Sequence, residues 1–85
     1  MIYADVINIR NLGHLEFVVT FADGLTGPVR MMPSHLYGVF EQLKDPVFFN
    51  RIQLVDGFVS WPGEIDLAPD AMYAAIKEHG EWILS

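Results

Sequence analysis

Two Asp-Gly pairs, Asp23-Gly24 and Asp56-Gly57, each lie between short apolar runs, and they constrain the folds open to this chain more than any other feature. Asp and Gly tolerate the positive φ of a tight turn, so each pair predicts two antiparallel strands joined by two residues. Before the first pair stands the clearest strand signal, residues 15–21. Leu15, Phe17, Val19 and Phe21 fall on one face, with Glu16, Val18 and Thr20 on the other. The return strand covers residues 25–32. Pro28 within it has no N–H to give a ladder, which predicts an edge or bulged strand. Upstream, Val6, Ile7 and Ile9 alternate imperfectly with polar residues over 4–12, the pattern of a first strand with a bulge. The second pair joins residues 52–55 to 58–61, and Pro62 and Gly63 end that hairpin.

Helical spacing appears in three places. Ser34 follows Pro33 as an N-cap candidate, and Leu36, Val39, Phe40 and Leu43 then recur at i, i+3, i+4 and i+7, although Gly38 weakens the run. Asp45-Pro46 reads as an N-cap with Pro at the first helical position, opening one turn through Phe48 and Phe49. Pro69 opens the last helix with Asp70 in its first turn. Ala71, Met72, Ala75 and Ile76 form its apolar face, and Gly80 ends it. The expected fold is therefore α+β: a small antiparallel sheet in β-β-β-α-β-β-α order with helices packed on one face. Beyond Gly80, the tail 81–85 sets Trp82, Ile83 and Leu84 together. Such a tail folds back over its own core, along the edge left by the Pro28 strand, or docks on another chain.

Composition bounds the rest. Eighty-five residues without a linker fit one domain, 1–85, and 52% hydrophobic residues supply its core. There is no cysteine, which excludes a disulfide framework and thiolate chemistry. No apolar run is long enough to span a membrane, and the first five residues lack a signal-peptide pattern, so the expected setting is cytoplasmic. Eleven acids against five scattered bases give a net charge of −6, which argues against nucleic acid as a partner of this domain. From Asp56 to Asp70 the acids Asp56, Glu64, Asp66 and Asp70 occur with no Lys or Arg among them. They read as solvated turn and cap residues, or as a patch that steers a basic partner.

Chemistry-bearing patterns are sparse. His14, His35 and His79 are far apart, with no zinc spacing, and Ser34-His35 are neighbours with a capping role open to the serine. Glu64, Asp66 and Asp70 lack the order of a calcium loop, and Asp66 reads as a cap for the last helix or its entry loop. The glycines form no phosphate-binding loop. No catalytic, cofactor or metal residue is assigned. Trp61 and Tyr73 read first as core residues with polar tips at the rim, and alternatively as an aromatic ligand surface. Phe58 shares a face with Ser60, opposite Val59 and Trp61, and so points outward or toward another chain.

Several of these runs carry a resemblance. Residues 15–24, then Val39-Phe40-Glu41-Gln42-Leu43-Lys44-Asp45-Pro46 with Phe49, then Trp61-Pro62 through Asp66-Leu67-Ala68-Pro69-Asp70 to Tyr73, resemble the domain of unknown function 2442 family. The resemblance covers about residues 5–73. It implies a small bacterial α+β protein, sometimes fused to a helix-turn-helix domain and sometimes encoded beside a toxin-like protein, and it supplies no catalytic residues. Two departures stand out: Glu64 where a second turn glycine is expected after Gly63, and the apolar tail 81–85.

The sequence thus points to a non-catalytic protein-interaction or regulatory module, antitoxin-like or accessory, with no cofactor. Its partner is another protein, a second copy of itself included, and neither nucleic acid nor membrane. The candidate surface is Phe58, Trp61, Asp66, Tyr73 and Trp82. The alternative is a small-ligand-binding protein or minor enzyme that uses the Trp61–Tyr73 region.

Overall fold

The computed structural model describes residues 5–85. Three strands open the chain: β1 (Val6–Gly13), β2 (Glu16–Phe21) and β3 (Thr26–Met31). The alternation in β2 does what it predicts, since Phe17, Val19 and Phe21 are fully buried. In β1 the register shifts between Val6 and Asn8 and again between Asn11 and Gly13, which places the expected bulge; residue 4 of that expected strand lies outside the described residues. Leu15 is not part of β2. It sits half-buried in the β1–β2 turn at φ +68, an unfavourable backbone region for a branched side chain, while packing against the core.

The first Asp-Gly turn is longer than two residues. The Phe21 N–H donates to the Leu25 carbonyl, and the Gly24 N–H donates back to the Phe21 carbonyl. Three residues therefore make the connection, and only Gly24 takes a positive φ, at +96. Asp23 works through its side chain, accepting from the Leu25 N–H at 3.0 Å.

After β3 the chain runs through two 3₁₀ stretches, Pro33–His35 and Gly38–Lys44, where the sequence predicts an amphipathic α-helix. The run is broken between the two: Tyr37 is extended, and Gly38 at φ +60 lies outside right-handed helical geometry. Of the expected stripe, Leu36 and Leu43 are buried, Phe40 is half-buried and Val39 is exposed; Ser34 makes no cap bond. The next turn, α1 (Pro46–Phe49), forms as expected, with Asp45 Oδ1 accepting from the Val47 N–H at 3.0 Å.

A second sheet follows: β4 (Gln53–Val55), β5 (Phe58–Trp61) and β6 (Ile65–Leu67), in that order and antiparallel throughout. The Asp56-Gly57 turn is the two-residue type, with both residues at positive φ, +50 and +83. Three-residue β6 was not expected. It follows the turn at Pro62–Glu64, where Gly63 (φ +91) and Glu64 (φ +62) both take the left-handed conformation; Glu64 does so where the family resemblance leads one to expect glycine.

Then α2 (Pro69–His79) buries Met72 and Ile76 and meets β3 and β7, while Ala71, expected on its apolar face, is exposed. Gly80 ends it at φ +80, its N–H donating to the Ile76 carbonyl at 2.8 Å, and Lys77 and His79 suit the last-turn dipole. The tail folds back. As β7 (Trp82–Leu84) it pairs parallel with β3 through Val29–Trp82, Arg30–Ile83 and Met31–Leu84. The first sheet thus has the order β1-β2-β3-β7, and β3 is interior rather than the edge its proline suggested. Pro28 is tolerated because the β7 ladder begins only at Val29, past the missing donor.

The two sheets share one buried cluster. Its aromatic centre is Phe17, Phe49 and Trp61, with Phe17 meeting Trp61 edge-on (centroids 6.3 Å apart, planes at 74°) and Phe49 5.7 Å from Trp61. The Val6 N–H donates to the Gly57 carbonyl (3.1 Å) and Asn11 Nδ2 to Asn50 Oδ1 (2.9 Å), joining β1 to the second sheet and its approach. Among the described residues no helix is long and apolar enough to cross a membrane.

Candidate functional site

The alternation of β5 sorts the candidate residues. Val59 and Trp61 point into the core and are buried, while Phe58 shares the opposite face with Ser60, which its neighbours on that face also bury, at 7% exposed. Across the Asp56-Gly57 turn, Val55 lies directly opposite Phe58, and both are exposed, at 43% and 42%. Next to this apolar pair runs a polar row, Gln53–Ser60–Asp66, one residue from each strand. Asp66 is exposed in the middle of β6 and caps nothing; the position before α2 is Ala68, with no side-chain cap. Sequence reasoning missed Val55. The signal was available, because a two-residue turn at 56–57 makes 55 and 58 cross-strand neighbours.

The structure brings Phe58 and Asp66 to this one outer face and separates the other three candidates from it. Trp61 lies on the inner side, 1% exposed, its Nε1–H donating to the Phe49 carbonyl at 2.9 Å. That bond satisfies the one polar atom of its ring and removes Trp61 from any surface. Tyr73 is half-buried on α2, its ring edge-on to Phe21 at 5.1 Å, with the Lys77 ammonium 5.8 Å from its centroid. Its hydroxyl donates to Asp23 Oδ2 at 2.5 Å and so ties α2 to the β2–β3 turn. That hydrogen bond, followed by the one from the Leu25 N–H and a smaller effect of the Lys77 charge, holds the Asp23 carboxyl below the usual aspartate range. Trp82 is half-buried on β7 and borders an open groove of about 310 Å³ with Ala75, His79, Glu81 and Ile83. A second open groove, about 390 Å³, separates β1 from β4 and is lined by Ile7, Ile9 and Asn11 against Ile52, Gln53 and Leu54.

The histidines remain apart. His14 shares a hydrogen bond with the Leu43 carbonyl through Nε2 (2.8 Å) and meets Phe49 edge-on. His35 lies against Phe40, and His79 lies 3.8 Å from Glu78 on the exposed end of α2. Among the described residues no three His, Asp or Glu side chains gather to hold a metal ion.

No match to the chain is found among curated proteins or among solved structures. One family does match, described as "Protein of unknown function (DUF2442)", over residues 6–78, which contain every element from β1 to nearly the end of α2. The chain is a member of that family.

Proposed function

We propose that this protein is a non-catalytic protein-interaction module, regulatory or accessory in the manner of an antitoxin, acting in the cytoplasm through surface contact. The observation that carries the reading is the Val55–Phe58 pair. Two large apolar side chains stand opposite one another on a sheet face and stay about two-fifths exposed. Apolar pairs of this kind gain most when a second surface covers them, and aromatic side chains are favoured anchors in such contacts. The interaction reading is preferred to a ligand site in the Trp61–Tyr73 region because the Trp61 indole N–H and the Tyr73 hydroxyl each already donate within the fold.

The test is a quantitative pull-down from native cells, comparing the full chain with Phe58→Ser at equal melting temperature. The wild type retains a partner that Phe58→Ser loses. Equal recovery by both proteins refutes the reading.

A further inference from the structure

We infer that the outer face of β4, β5 and β6 receives a basic segment of a different protein, and not a second copy of this chain. The inference rests on reading that face as the docking surface. What decides the occupant is charge. Residues 52–76 contain Asp56, Glu64, Asp66 and Asp70 and no Lys or Arg. Asp56 sits in the turn beside Val55 and Phe58, and Asp66 lies across the ladder from Ser60. Glu64 occupies the turn at the far end, and all three are exposed. A further acid, Asp5, lies against the Gly57 end of the hairpin, where its carboxylate would stand 2.7 Å from a Cβ at residue 57. Negative charge therefore borders the apolar pair at the Asp56-Gly57 turn and recurs along the sheet at Asp66 and at its far end at Glu64.

None of the five cations belongs to β4, β5 or β6: Arg10 lies on β1 and Lys44 ends the second 3₁₀ stretch. Arg30 is paired with Glu16 on the first sheet at 3.1 Å, and Lys77 lies over Tyr73 on α2. Arg51 precedes β4 at the end opposite the Asp56-Gly57 turn. An apolar anchor flanked by one sign of charge fits a partner whose own apolar residue is flanked by Lys or Arg.

Charge disfavours a second copy on this face. A two-fold interface lays a patch on its own image. Each copy would then face a patch carrying the same net negative charge, Asp56, Glu64 and Asp66 included, with no cation from residues 52–76 to offset it. The outer edge of the sheet carries the same bias. Edge strand β6 has Asp66 at its centre, and a charge there repels an identical edge while accepting a strand that bears Lys or Arg.

The experiment places a photo-cross-linking benzoylphenylalanine at position 58 of the full chain, with a control at Val39, and identifies the captured segment by mass spectrometry. A captured segment of another protein with net positive charge, lost at position 39, supports the inference. Asp56→Asn with Asp66→Asn then lowers capture about five-fold, as expected for two rim ion pairs, and higher salt does the same. Capture of a neutral or acidic segment, or of this chain itself, overturns the inference while leaving the face an interaction surface. No capture from position 58 overturns both the inference and the interaction reading beneath it.

Discussion

Replacing Gly27 by Ala adds one methyl group where the structure has no room. Gly27 is buried in β3, and its φ is one that any residue can adopt, so glycine is needed here for space rather than for conformation. A Cβ would stand 2.6 Å from Cγ2 of Ile76 and 3.0 Å from the Gly80 carbonyl oxygen. Neither neighbour yields easily. Ile76 is 2% exposed, and Gly80 is held by its N–H bond to the Ile76 carbonyl. Overpacking of this kind costs about 1–3 kcal/mol. The substitution also restricts the unfolded chain, which returns about 0.4–1 kcal/mol. The net expectation is a loss centred on about 1.3 kcal/mol and no more than about 2.5 kcal/mol, or roughly 5–15 °C in melting temperature for a domain this small. Urea and thermal unfolding followed by circular dichroism measure it directly. Ile76→Ala provides the internal check, because removing Cγ2 removes the closer contact and leaves only the 3.0 Å approach to the Gly80 carbonyl: in that background Gly27→Ala should cost less, giving a coupling of about 1 kcal/mol. A Gly27→Ala protein as stable as the wild type, or strict additivity in the cycle, would refute the account of how α2 seats on β3.

Two further outcomes are expected. Deleting residues 81–85 removes buried Leu84, the β3–β7 ladder and the Met32 N–H bond to the Leu84 carbonyl, for a loss of about 2–4 kcal/mol; unchanged melting by calorimetry would contradict the fold-back of the tail. Because the Tyr73 hydroxyl depresses the Asp23 carboxyl, the ionised form stabilises the fold above the unfolded-state value, and this is lost as the pH falls through the lower folded value. Tyr73→Phe should therefore move the NMR titration of Asp23 upward and flatten the acid side of the stability profile, and an unmoved titration would show that the hydrogen bond is not the cause.

The parts of this fold that were legible in sequence are those whose signals are local. The alternation in β2 and the Asp56-Gly57 turn require only neighbouring residues, and the inward Trp61 and outward Phe58 follow from counting by two. The Asp45-Pro46 start and the Gly80 stop belong to the same class. What stayed hidden depends on contacts or on backbone conformations that composition does not report. Leu36, Val39, Phe40 and Leu43 have helical spacing, but an extended Tyr37 and a positive φ at Gly38 break the run, and both pieces are 3₁₀. Strand β6 is three residues long, too short for a period to emerge. Pro28 suggested an edge because nothing in its vicinity reveals that Val29 pairs with Trp82. For the candidate surface, the sequence marked Phe58 and Asp66 and missed Val55. It also grouped Trp61, Tyr73 and Trp82 with them, which share aromatic character but not a face.

Strand β5 answers to two requirements through alternate residues: Val59 and Trp61 serve the core, and Phe58 and Ser60 serve the face that looks away from it. The two sets are therefore locked together by the parity of the chain. A substitution can alter either one alone, but an insertion or deletion of a single residue within 58–61 exchanges them, moving an indole out of the aromatic cluster to the opposite face and a serine into it. Recognition through this sheet can drift by replacement and cannot drift by change of length. A change of length compatible with this pattern belongs outside 58–61, in a turn that absorbs it while the flanking strands keep their pairing.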